Sequence, residues 1–450
     1  MAELPRLVVA APATGQGKTT VATGLMAALA AAGHDVSGHK VGPDYIDPGY
    51  HALACGRPGR NLDPHLVGES LVAPLLLHGA RGADVAVVEG VMGLYDGRIG
   101  GNGFSSTAHV AALTRTPVVL VVDISRSSRS IGALVHGMAT WDDSVEVAGV
   151  ILNQAGSARH ADEVRSSVSL PVLGVIPRDA SIATPSRHLG LVTAAERGGS
   201  EAVVARLAEV VAEHVDLDAV LAIARSAPAL DAEPWSPQVV EEVAQRPSRD
   251  PGARRRVAVA AGRAFTFQYA ETAELLAAHG CDVVAFDPAL DPALPAGTAG
   301  LYLGGGFPEV HAADLAANAP LLAEVRTAVL DGLPTVAECA GLLYLCRTLD
   351  GAPMAGVLDA DAAMSPRLTL RYPVATGATD TLLTRTGEQV TGHEFHRTTV
   401  TPATAATPAW AVDGEQVGFA SPTLHASYLH THWAGHPQLA ARFSEAVHRG

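Results

Sequence analysis

Short apolar runs alternate with helical or loop segments over the first half of the chain. Residues 6–13 (RLVVAAPA) have the apolar pattern of a buried strand, and a glycine-rich turn separates them from an alanine-rich helix that ends at Gly33. Further strand-sized runs are DVAVVEG, TPVVLVVD, VAGVILNQ and LPVLGVIP, and residues 198–222 have the pattern of a closing helix. This alternation is typical of βαβ units and predicts a mostly parallel sheet.

The apolar pattern is interrupted once and then resumes. Residues 226–254 are rich in proline, serine and charge and have no apolar period, which indicates an inter-domain linker. A second α/β series follows, with RRVAVAAG, AETAELLAAHG, CDVVAFDP, GLYLGGGFPE, PTVAEC and finally HASYLHTHW. The sequence therefore predicts an α/β protein with domains at 1–225 and 255–450.

Composition and charge narrow the class of protein. The 450 residues are 48% hydrophobic and 17% charged, as expected of a globular protein with real cores. A net charge of −15 argues against a nucleic-acid partner, although a local arginine cluster could still bind an anionic small molecule. Four cysteines are too few for a disulfide framework, and we find neither a signal peptide nor an apolar run of the roughly 20 residues that span a bilayer. We expect a soluble, cytoplasmic protein with no membrane partner.

The first glycine-rich turn has the features of a degenerate Walker A loop. Among 31 basic residues only Lys18 and Lys40 are lysines, so an arginine-favouring bias has spared these two positions. Pro12 stands where a standard P-loop has glycine. Backbone N–H groups before a helix can still hold phosphate, and a lysine can reach the β- and γ-phosphates. The predicted ATP-binding residues are Thr14, Gly15, Gly17, Lys18, Thr19, Thr20 and Asn153. Asn153 could recognise the base of the nucleotide or, alternatively, act only as a cap after its strand.

Carboxylates near this loop predict a magnesium site. Glu89 follows an apolar strand, at the end where parallel sheets bind ligands. The segment from Lys40 to Gly49 contains Asp44 and Asp47 among turn-forming residues. These carboxylates and the lysine could bind a metal ion and stabilise charge on an activated phosphate. The alternative is an ordinary surface turn. We expect Asp44 and Asp47 to act in catalysis, and Thr19, Asp47 and Glu89 to bind Mg²⁺.

A cysteine near the C-terminus stands at a predicted strand-to-helix bend. Small residues around Cys339 permit a nucleophile elbow, where the helix N-terminus would lower the thiol pKa and the Ala340 N–H could meet an oxyanion. Gly304–Gly306 offer further backbone donors. Cys346 lies on the apolar spacing of the following helix, which indicates inert core.

Histidines near the C-terminus supply candidate bases for this thiol. His430 and His432 would share one face of a strand, so spacing does not decide between them. His393 and His396 would face opposite sides of a strand, and we interpret them as a non-metal pair.

These motifs, in this order, resemble the corrinoid a,c-diamide synthases, which convert cobyrinic or hydrogenobyrinic acid into the a,c-diamide. The resemblance covers nearly the whole chain and includes TGQGKTT, HKVGPDYIDPGYH, VVEGVMGLYDG, YLGGGFPE, AECAGLLYL, GHEFH and SYLHTHW. It implies a P-loop domain similar to dethiobiotin synthetase, followed by a class I-type glutamine amidotransferase domain. Cys339 matches the family's nucleophile and His430 its base, while His432 stands where class I enzymes usually have glutamate.

The resemblance also implies a reaction. Cys339 would release ammonia from L-glutamine, and ATP with Mg²⁺ would activate two acetate groups of a corrinoid polycarboxylate as acyl phosphates. The metal-free acid is the working choice of substrate, with cobyrinic acid and nickel-sirohydrochlorin as alternatives. A homodimer is one expectation for the oligomeric state. The predicted substrate-binding set is Arg57, Arg60, Arg126, Arg129, Arg187 and His188.

A rival interpretation comes from a different class of protein. A partition-type P-loop ATPase could bind partners while its glutaminase-like domain remains silent. Glutaminase activity would discriminate the two hypotheses.

Overall fold

The computed structural model describes residues 2–179, 199–238 and 254–450, together with the backbone of 186–187 and 190–191. Unit 1 consists of Met1–Pro64 and Gly68–Trp235, and unit 2 of His65–Val67 and Ser236–Gly450. Over the described ranges, no helix combines the length and the apolar character that crossing a membrane requires.

Unit 1 is built on a parallel sheet, as the alternating pattern predicts. Its strands are β1 (Arg6–Ala10), β2 (Val36–Val41), β3 (Arg60–Leu62), β4 (Val85–Glu89), β5 (Val118–Asp123), β6 (Val147–Ala155) and β7 (Val172–Pro177), in the spatial order β3-β2-β4-β1-β5-β6-β7. Every pairing in this sheet is parallel, so the carboxyl ends of its strands meet at one edge. A separate antiparallel ribbon joins β8 (Ser186–Arg187) and β9 (Gly190–Leu191).

Helices follow most strands of this sheet. They are α1 (Lys18–Ala31), α2 (Asp47–Cys55), α3 (Pro64–Val67), α4 (Glu69–Gly79), α5 (Thr107–Leu113), α6 (Ser130–Thr140), α7 (Ala158–Arg165), α8 (Ser200–His214) and α9 (Leu217–Ser226). The closing helix expected over 198–222 is divided into α8 and α9. Asp216 causes the division, because its carboxylate accepts the Ala219 N–H at 3.0 Å and starts a new helix.

The first part of the predicted linker packs on unit 1. Arg6 donates to the Pro228 carbonyl at 2.6 Å, and the Trp235 N–H donates to the Pro74 carbonyl at 2.9 Å. The indole of Trp235 is buried, which the proline-rich composition of the segment does not indicate. Residues 239–253 of the predicted linker lie outside the described residues.

Unit 2 contains two larger sheets. Its strands are β10 (Arg255–Ala260), β11 (Cys281–Phe286), β12 (Thr298–Leu303), β13 (Thr335–Glu338), β14 (Thr348–Leu349), β15 (Ala352–Pro353), β16 (Asp361–Arg371), β17 (Val374–Gly377), β18 (Gln389–Thr401), β19 (Trp410–Val412), β20 (Glu415–Val417), β21 (Phe419–Ala420), β22 (Leu424–Ser427) and β23 (His430–Thr431). One sheet has the order β11-β10-β12-β13-β22-β21 and is parallel except for β21. The other runs β15-β14-β16-β18-β17-β19-β20, with β23 paired to β18.

The helices of unit 2 surround a core that supports the predicted elbow. They are α10 (Ala270–Ala278), α11 (Ala312–Ala317), α12 (Ala319–Leu330), α13 (Ala340–Leu345) and α14 (Pro437–Arg449). Apolar side chains of β12, α12 and α13 form one buried cluster, which includes Cys346. The prediction that Cys346 belongs to the core is therefore confirmed.

Candidate active sites

The loop between β1 and α1 has the backbone of a phosphate-binding turn. Gly15 and Gly17 both have positive φ, at 84° and 90°, a conformation that suits glycine. The loop tip at Thr14 and Gly15 is exposed, whereas Lys18 is buried and donates to the carbonyls of Ala13 and Met92. Burial lowers the pKa of Lys18 to about 8, so phosphate oxygens would stabilise its charged form.

Asn153 fixes this loop from the neighbouring strand β6. Its Nδ2 donates to the Gln16 carbonyl at 2.9 Å, and its Oδ1 accepts the Gln154 N–H at 2.9 Å. A Cβ at Gly17 would lie 2.3 Å from the Asn153 Nδ2, so only glycine fits there. The cap of α7 is Ser157 and not Asn153. Asn153 thus positions the loop, while base recognition stays a prediction.

Three predicted metal ligands meet at the carboxyl ends of β2 and β4. The Thr19 hydroxyl donates to Glu89 Oε1 at 2.6 Å and lies 3.2 Å from Asp47 Oδ2. Lys40 is the register partner of Glu89 on the neighbouring strand, and its Nζ lies 2.9 Å from Glu89 and 2.6 Å from Asp47. His51 Nε2 lies 2.7 Å from the second oxygen of Glu89. This cluster brings together Thr19, Lys40, Asp47 and Glu89, as the sequence predicts.

Burial disfavours every charge in this cluster, and ion pairs outweigh that effect at Glu89 and Lys40 but not at Asp47. Burial alone would raise the pKa of Glu89, but Lys40 and His51 hold that pKa below its usual range. Although burial disfavours the ammonium, the carboxylates raise the pKa of Lys40 above its ordinary value. Burial and repulsion from Asp44 and Glu89 raise the pKa of Asp47. An added cation would therefore stabilise the ionised form of Asp47.

The oxygen atoms of this cluster fit a hard divalent cation only in part. Among the described residues, no group of three or more His, Cys, Asp and Glu side chains could hold a metal ion by itself. Mg²⁺, however, commonly takes one or two carboxylates and completes its coordination with phosphate oxygens and water. A hydroxyl and two carboxylates beside a phosphate-binding loop match that arrangement.

Asp44 has a structural role at the start of α2. Its Oδ1 accepts the N–H groups of Ile46 at 2.8 Å and of Asp47 at 3.1 Å. The Asp44 carboxylate thereby holds Asp47 in place. This contact agrees with the interpretation of the segment as a turn. Catalysis by Asp44 itself stays a prediction.

The described members of the predicted arginine set make separate contacts in the structure. Arg60 is buried, and its side chain lies against Gly79, which makes it unsuitable as an open substrate contact. Arg57 donates to the Arg81 carbonyl, and Arg129 pairs with Glu163 at 3.4 Å. Arg126 is exposed, whereas His188 and the side chain of Arg187 lie outside the described residues.

Cys339 occupies a sharp bend between β13 and α13. Its backbone has φ 49° and ψ −96°, a strained conformation for a residue with a Cβ. The Cys339 N–H donates to the Ser427 carbonyl at 2.8 Å, and the Gly341 N–H donates to the Gly304 carbonyl at 3.1 Å. This is the geometry of the predicted nucleophile elbow.

The two candidate bases lie in different surroundings. Strand β23 ends before His432, whose ring lies 4.1 Å from that of Tyr269 and whose Nε2 is 3.6 Å from Glu271. His430 instead stacks on His393 at 4.7 Å and lies against Gly305, where a Cβ would be 2.4 Å from its Cε1. The loop that contacts His430 is the same loop that accepts the Gly341 N–H beside the cysteine. The structure therefore favours His430.

Both groups are neutral in this environment. Burial raises the pKa of the Cys339 thiol, and the carboxylates of Glu309 and Glu394 add to the shift, while a hydrogen bond from the Ala340 N–H opposes it. The expectation that the helix N-terminus lowers this pKa is thus wrong, because burial and nearby negative charge outweigh a helix of only six residues. Burial lowers the pKa of His430 to about 3. A neutral imidazole can act as a general base towards a thiol.

The glycine loop provides fewer donors than expected. The Gly305 N–H donates to the Phe267 carbonyl at 3.1 Å and is committed to that contact.

His396 stacks on Tyr428 at 3.8 Å while His393 stacks on His430, so the two histidines of GHEFH lie against different rings.

Two contacts in these sites have no clear sequence signal. His51 reaches Glu89 from α2, and Glu338 accepts hydrogen bonds from Thr431 on β23. Only the position of Glu338 directly before the elbow cysteine could have suggested a role.

Comparisons with known proteins agree with this geometry. Residues 7–192 match the family model of the CobQ/CobB/MinD/ParA nucleotide binding domain, and residues 256–438 match that of the CobB/CobQ-like glutamine amidotransferase domain. The chain is 61% identical to hydrogenobyrinate a,c-diamide synthase of Thermobifida fusca (strain YX), over 99% of this chain and 97% of that protein. The chain belongs to the corrinoid a,c-diamide synthase family. The predicted resemblance and fold class are therefore confirmed.

Two further relatives in this a,c-diamide synthase family are named for different substrates. Hydrogenobyrinate a,c-diamide synthase of Streptomyces coelicolor (strain ATCC BAA-471 / A3(2) / M145) is 56% identical over 98% of this chain and 97% of that protein. Cobyrinate a,c-diamide synthase of Dehalococcoides mccartyi (strain CBDB1) is 39% identical over 98% of this chain and 97% of that protein. As a family member, the chain is a glutamine-dependent carbon–nitrogen ligase with a nucleotide-binding domain.

Proposed function

We propose that this a,c-diamide synthase amidates hydrogenobyrinic acid at its a and c acetate groups, with ATP and L-glutamine as co-substrates. The observation that carries the proposal is the difference in identity between two groups of relatives. Those named for hydrogenobyrinate are 52–61% identical to this chain, and those named for cobyrinate are 38–39% identical. The metal-free acid is therefore the favoured substrate over the cobalt-containing acid.

The glutaminase half of the reaction is assigned to Cys339 and His430. His430 is neutral and accepts the thiol proton as the sulfur attacks the glutamine amide carbon. The Ala340 N–H, which already points at the sulfur, stabilises the oxyanion that forms. His430 then gives its proton to the departing ammonia, and water hydrolyses the thioester to glutamate.

The activating half is assigned to the loop from Thr14 to Thr20 and to the carboxylate cluster. Backbone N–H groups at Gly15 and Gly17 and the ammonium of Lys18 hold the phosphates of ATP. Thr19, Asp47 and Glu89 would hold Mg²⁺, which would supply positive charge beside the transferred phosphoryl group.

Lys40 and the substrate carboxylate complete the activating step. Lys40 keeps Asp47 and Glu89 in place and adds positive charge beside them. A substrate carboxylate oxygen attacks the γ-phosphorus and ADP leaves. Ammonia then attacks the acyl carbon, and phosphate departs with the C–O electron pair.

A product assay tests the substrate assignment. The protein is incubated with ATP, Mg²⁺ and glutamine plus hydrogenobyrinic acid or cobyrinic acid, and the products are weighed by mass spectrometry. We expect the metal-free acid to be converted into its diamide with the higher kcat/KM. A higher kcat/KM for cobyrinic acid would reverse the assignment, and ATP hydrolysis without any amide would favour the partner-binding ATPase hypothesis.

A further inference from the structure

A buried carboxylate that the proposed mechanism does not use precedes the nucleophile. Glu338 is only 4% exposed, and a carboxylate in such surroundings is costly unless its oxygen atoms are hydrogen-bonded. Both oxygen atoms have donors. Oε1 accepts the Thr431 N–H at 3.2 Å and the Thr431 hydroxyl at 2.8 Å, while Oε2 accepts the Tyr302 hydroxyl at 2.9 Å.

These hydrogen bonds join elements of different sheets. Glu338 ends β13 in the parallel sheet, whereas Thr431 belongs to β23, which pairs with β18 in the antiparallel sheet. Cys339 follows the carboxylate directly in sequence, and His430 directly precedes the threonine. The contact therefore links the strand that carries the nucleophile to the strand that carries the base.

The direction of the threonine hydroxyl is fixed. Trp433 Nε1 donates to Thr431 Oγ1 at 3.1 Å, so this oxygen accepts one hydrogen bond and donates its own proton to Glu338. Successive side chains of a strand point to opposite faces, so anchoring Thr431 on one face also fixes His430 on the other. Gly305 and His393 then confine the imidazole from the side of the site.

We propose that Glu338 is a positioning residue, which holds His430 in register with Cys339 through its hydrogen bonds to Thr431. The inference rests on the proposed glutaminase chemistry of these two residues. Glu338 touches neither glutamine nor the reacting atoms in this role. Its loss would slow proton transfer in glutamine hydrolysis without affecting the activation of the carboxylate.

Thr431→Val and Thr431→Ser form a matched pair of test variants in the full chain. Valine keeps the branched shape and removes the hydroxyl, whereas serine keeps the hydroxyl. For Thr431→Val we expect the glutaminase kcat to fall about 10- to 100-fold, since small misplacements of reacting groups have effects of that order. The KM for glutamine and the amidation rate with ammonium chloride should not change. Thr431→Ser should restore most of the kcat.

Three outcomes would overturn the proposal. They are an unchanged glutaminase kcat in Thr431→Val, an equal loss in the valine and serine variants, and a loss that extends equally to ammonium-driven amidation. If Thr431→Val unfolds below the assay temperature, Glu338→Gln is used to test the role of Glu338. Glutamine keeps the shape of the side chain and one acceptor oxygen but removes the charge. We then expect a smaller fall in kcat at constant KM, and an unchanged kcat would refute the role.

The assay also separates this proposal from the proposed function. Glutamine hydrolysis is followed directly as glutamate release, without a corrinoid. If the unsubstituted protein fails to amidate either corrinoid acid with ammonium, the substrate assignment fails. The comparison of kcat between Thr431→Val and Thr431→Ser still decides the role of Glu338.

Discussion

The ammonium of Lys40 lies 2.9 Å from the carboxylate of Glu89, and the two residues are register partners on adjacent buried strands. The same ammonium lies 2.6 Å from Asp47. A single buried cation thus compensates two carboxylates that the proposed function assigns to Mg²⁺. The ammonium of Lys40 thus fixes the oxygen atoms of the proposed metal site in place.

We predict that Lys40→Met destabilises unit 1 and abolishes amide formation. Removing one partner of a buried ion pair costs about 3–5 kcal/mol, because the remaining charges stay buried. Chemical denaturation of the full chain measures the loss, with the exposed Arg81→Met as control. The double variant Lys40→Met/Asp47→Asn should recover part of the stability. A Lys40→Met protein as stable as the unsubstituted one would contradict the prediction.

Cys339→Ser should abolish glutamine-dependent amidation and leave the ammonium-dependent reaction intact. A hydroxyl is a much weaker nucleophile than a thiol in this site, while the nucleotide site is unchanged. Mass spectrometry of products made with each nitrogen source checks this outcome. Cys55→Ser is the control, because Cys55 lies in α2 of unit 1. Full glutamine-dependent turnover in Cys339→Ser would exclude the assignment.

Gly305→Ala should impair the glutaminase more than the fold. The added Cβ would lie 2.4 Å from His430 Cε1 and 3.0 Å from the Phe267 ring, so the imidazole must move. We expect the glutaminase kcat to fall at least about 10-fold, because displacing a catalytic base has an effect of that order. Gly156→Ala is the matched control, since an added Cβ there meets nothing within 4 Å. Equal kcat values in the two variants would refute the packing argument.

Glu338 should make the stability of the protein depend on pH. Burial raises its pKa from the ordinary 4.5 to about 7, and Tyr302 stays neutral because its own pKa is raised as well. Between pH 4.5 and about pH 7, Glu338 binds a proton in the folded state more often than in the unfolded state. The free energy of unfolding therefore falls as pH rises. The effect is up to about 3 kcal/mol for a shift of this size.

The Glu338→Gln variant isolates this contribution. Glutamine does not titrate, so the stability of the variant relative to the unsubstituted protein should rise between pH 5 and pH 8. Chemical denaturation of both proteins at the two pH values measures the difference. A constant difference would show that the carboxyl group does not titrate in this window.

Local sequence patterns predict the parts of the sites that local geometry determines. A strand, a glycine turn and a helix must follow one another in the chain, so the phosphate loop and the Cys339 elbow could both be recognised. Glu89 could be placed because strand ends of a parallel sheet meet at one edge. The antiparallel sheet that contains β16 and β18 was not predicted, because its pairings depend on residues far apart in sequence.

What the sequence interpretation missed or left open has a common physical cause. The Cys339 pKa, the burial of Arg60 and the choice between His430 and His432 all depend on which side chains pack around each residue. Sequence spacing gives the direction of a side chain but not the dielectric environment or the charges that surround it. The link between Glu338 and Thr431 spans two sheets and is likewise invisible to spacing.

The strained backbone of Cys339 lowers the stability of the fold at the position of the proposed nucleophile. Glycine would adopt φ 49° and ψ −96° with less strain, and relief of such strain is worth about 1–3 kcal/mol. If stability alone mattered, glycine would therefore be favoured over cysteine at this position. The cost in stability therefore falls on the one position that the proposed function assigns to the nucleophile, where only the sulfur can take nitrogen from glutamine.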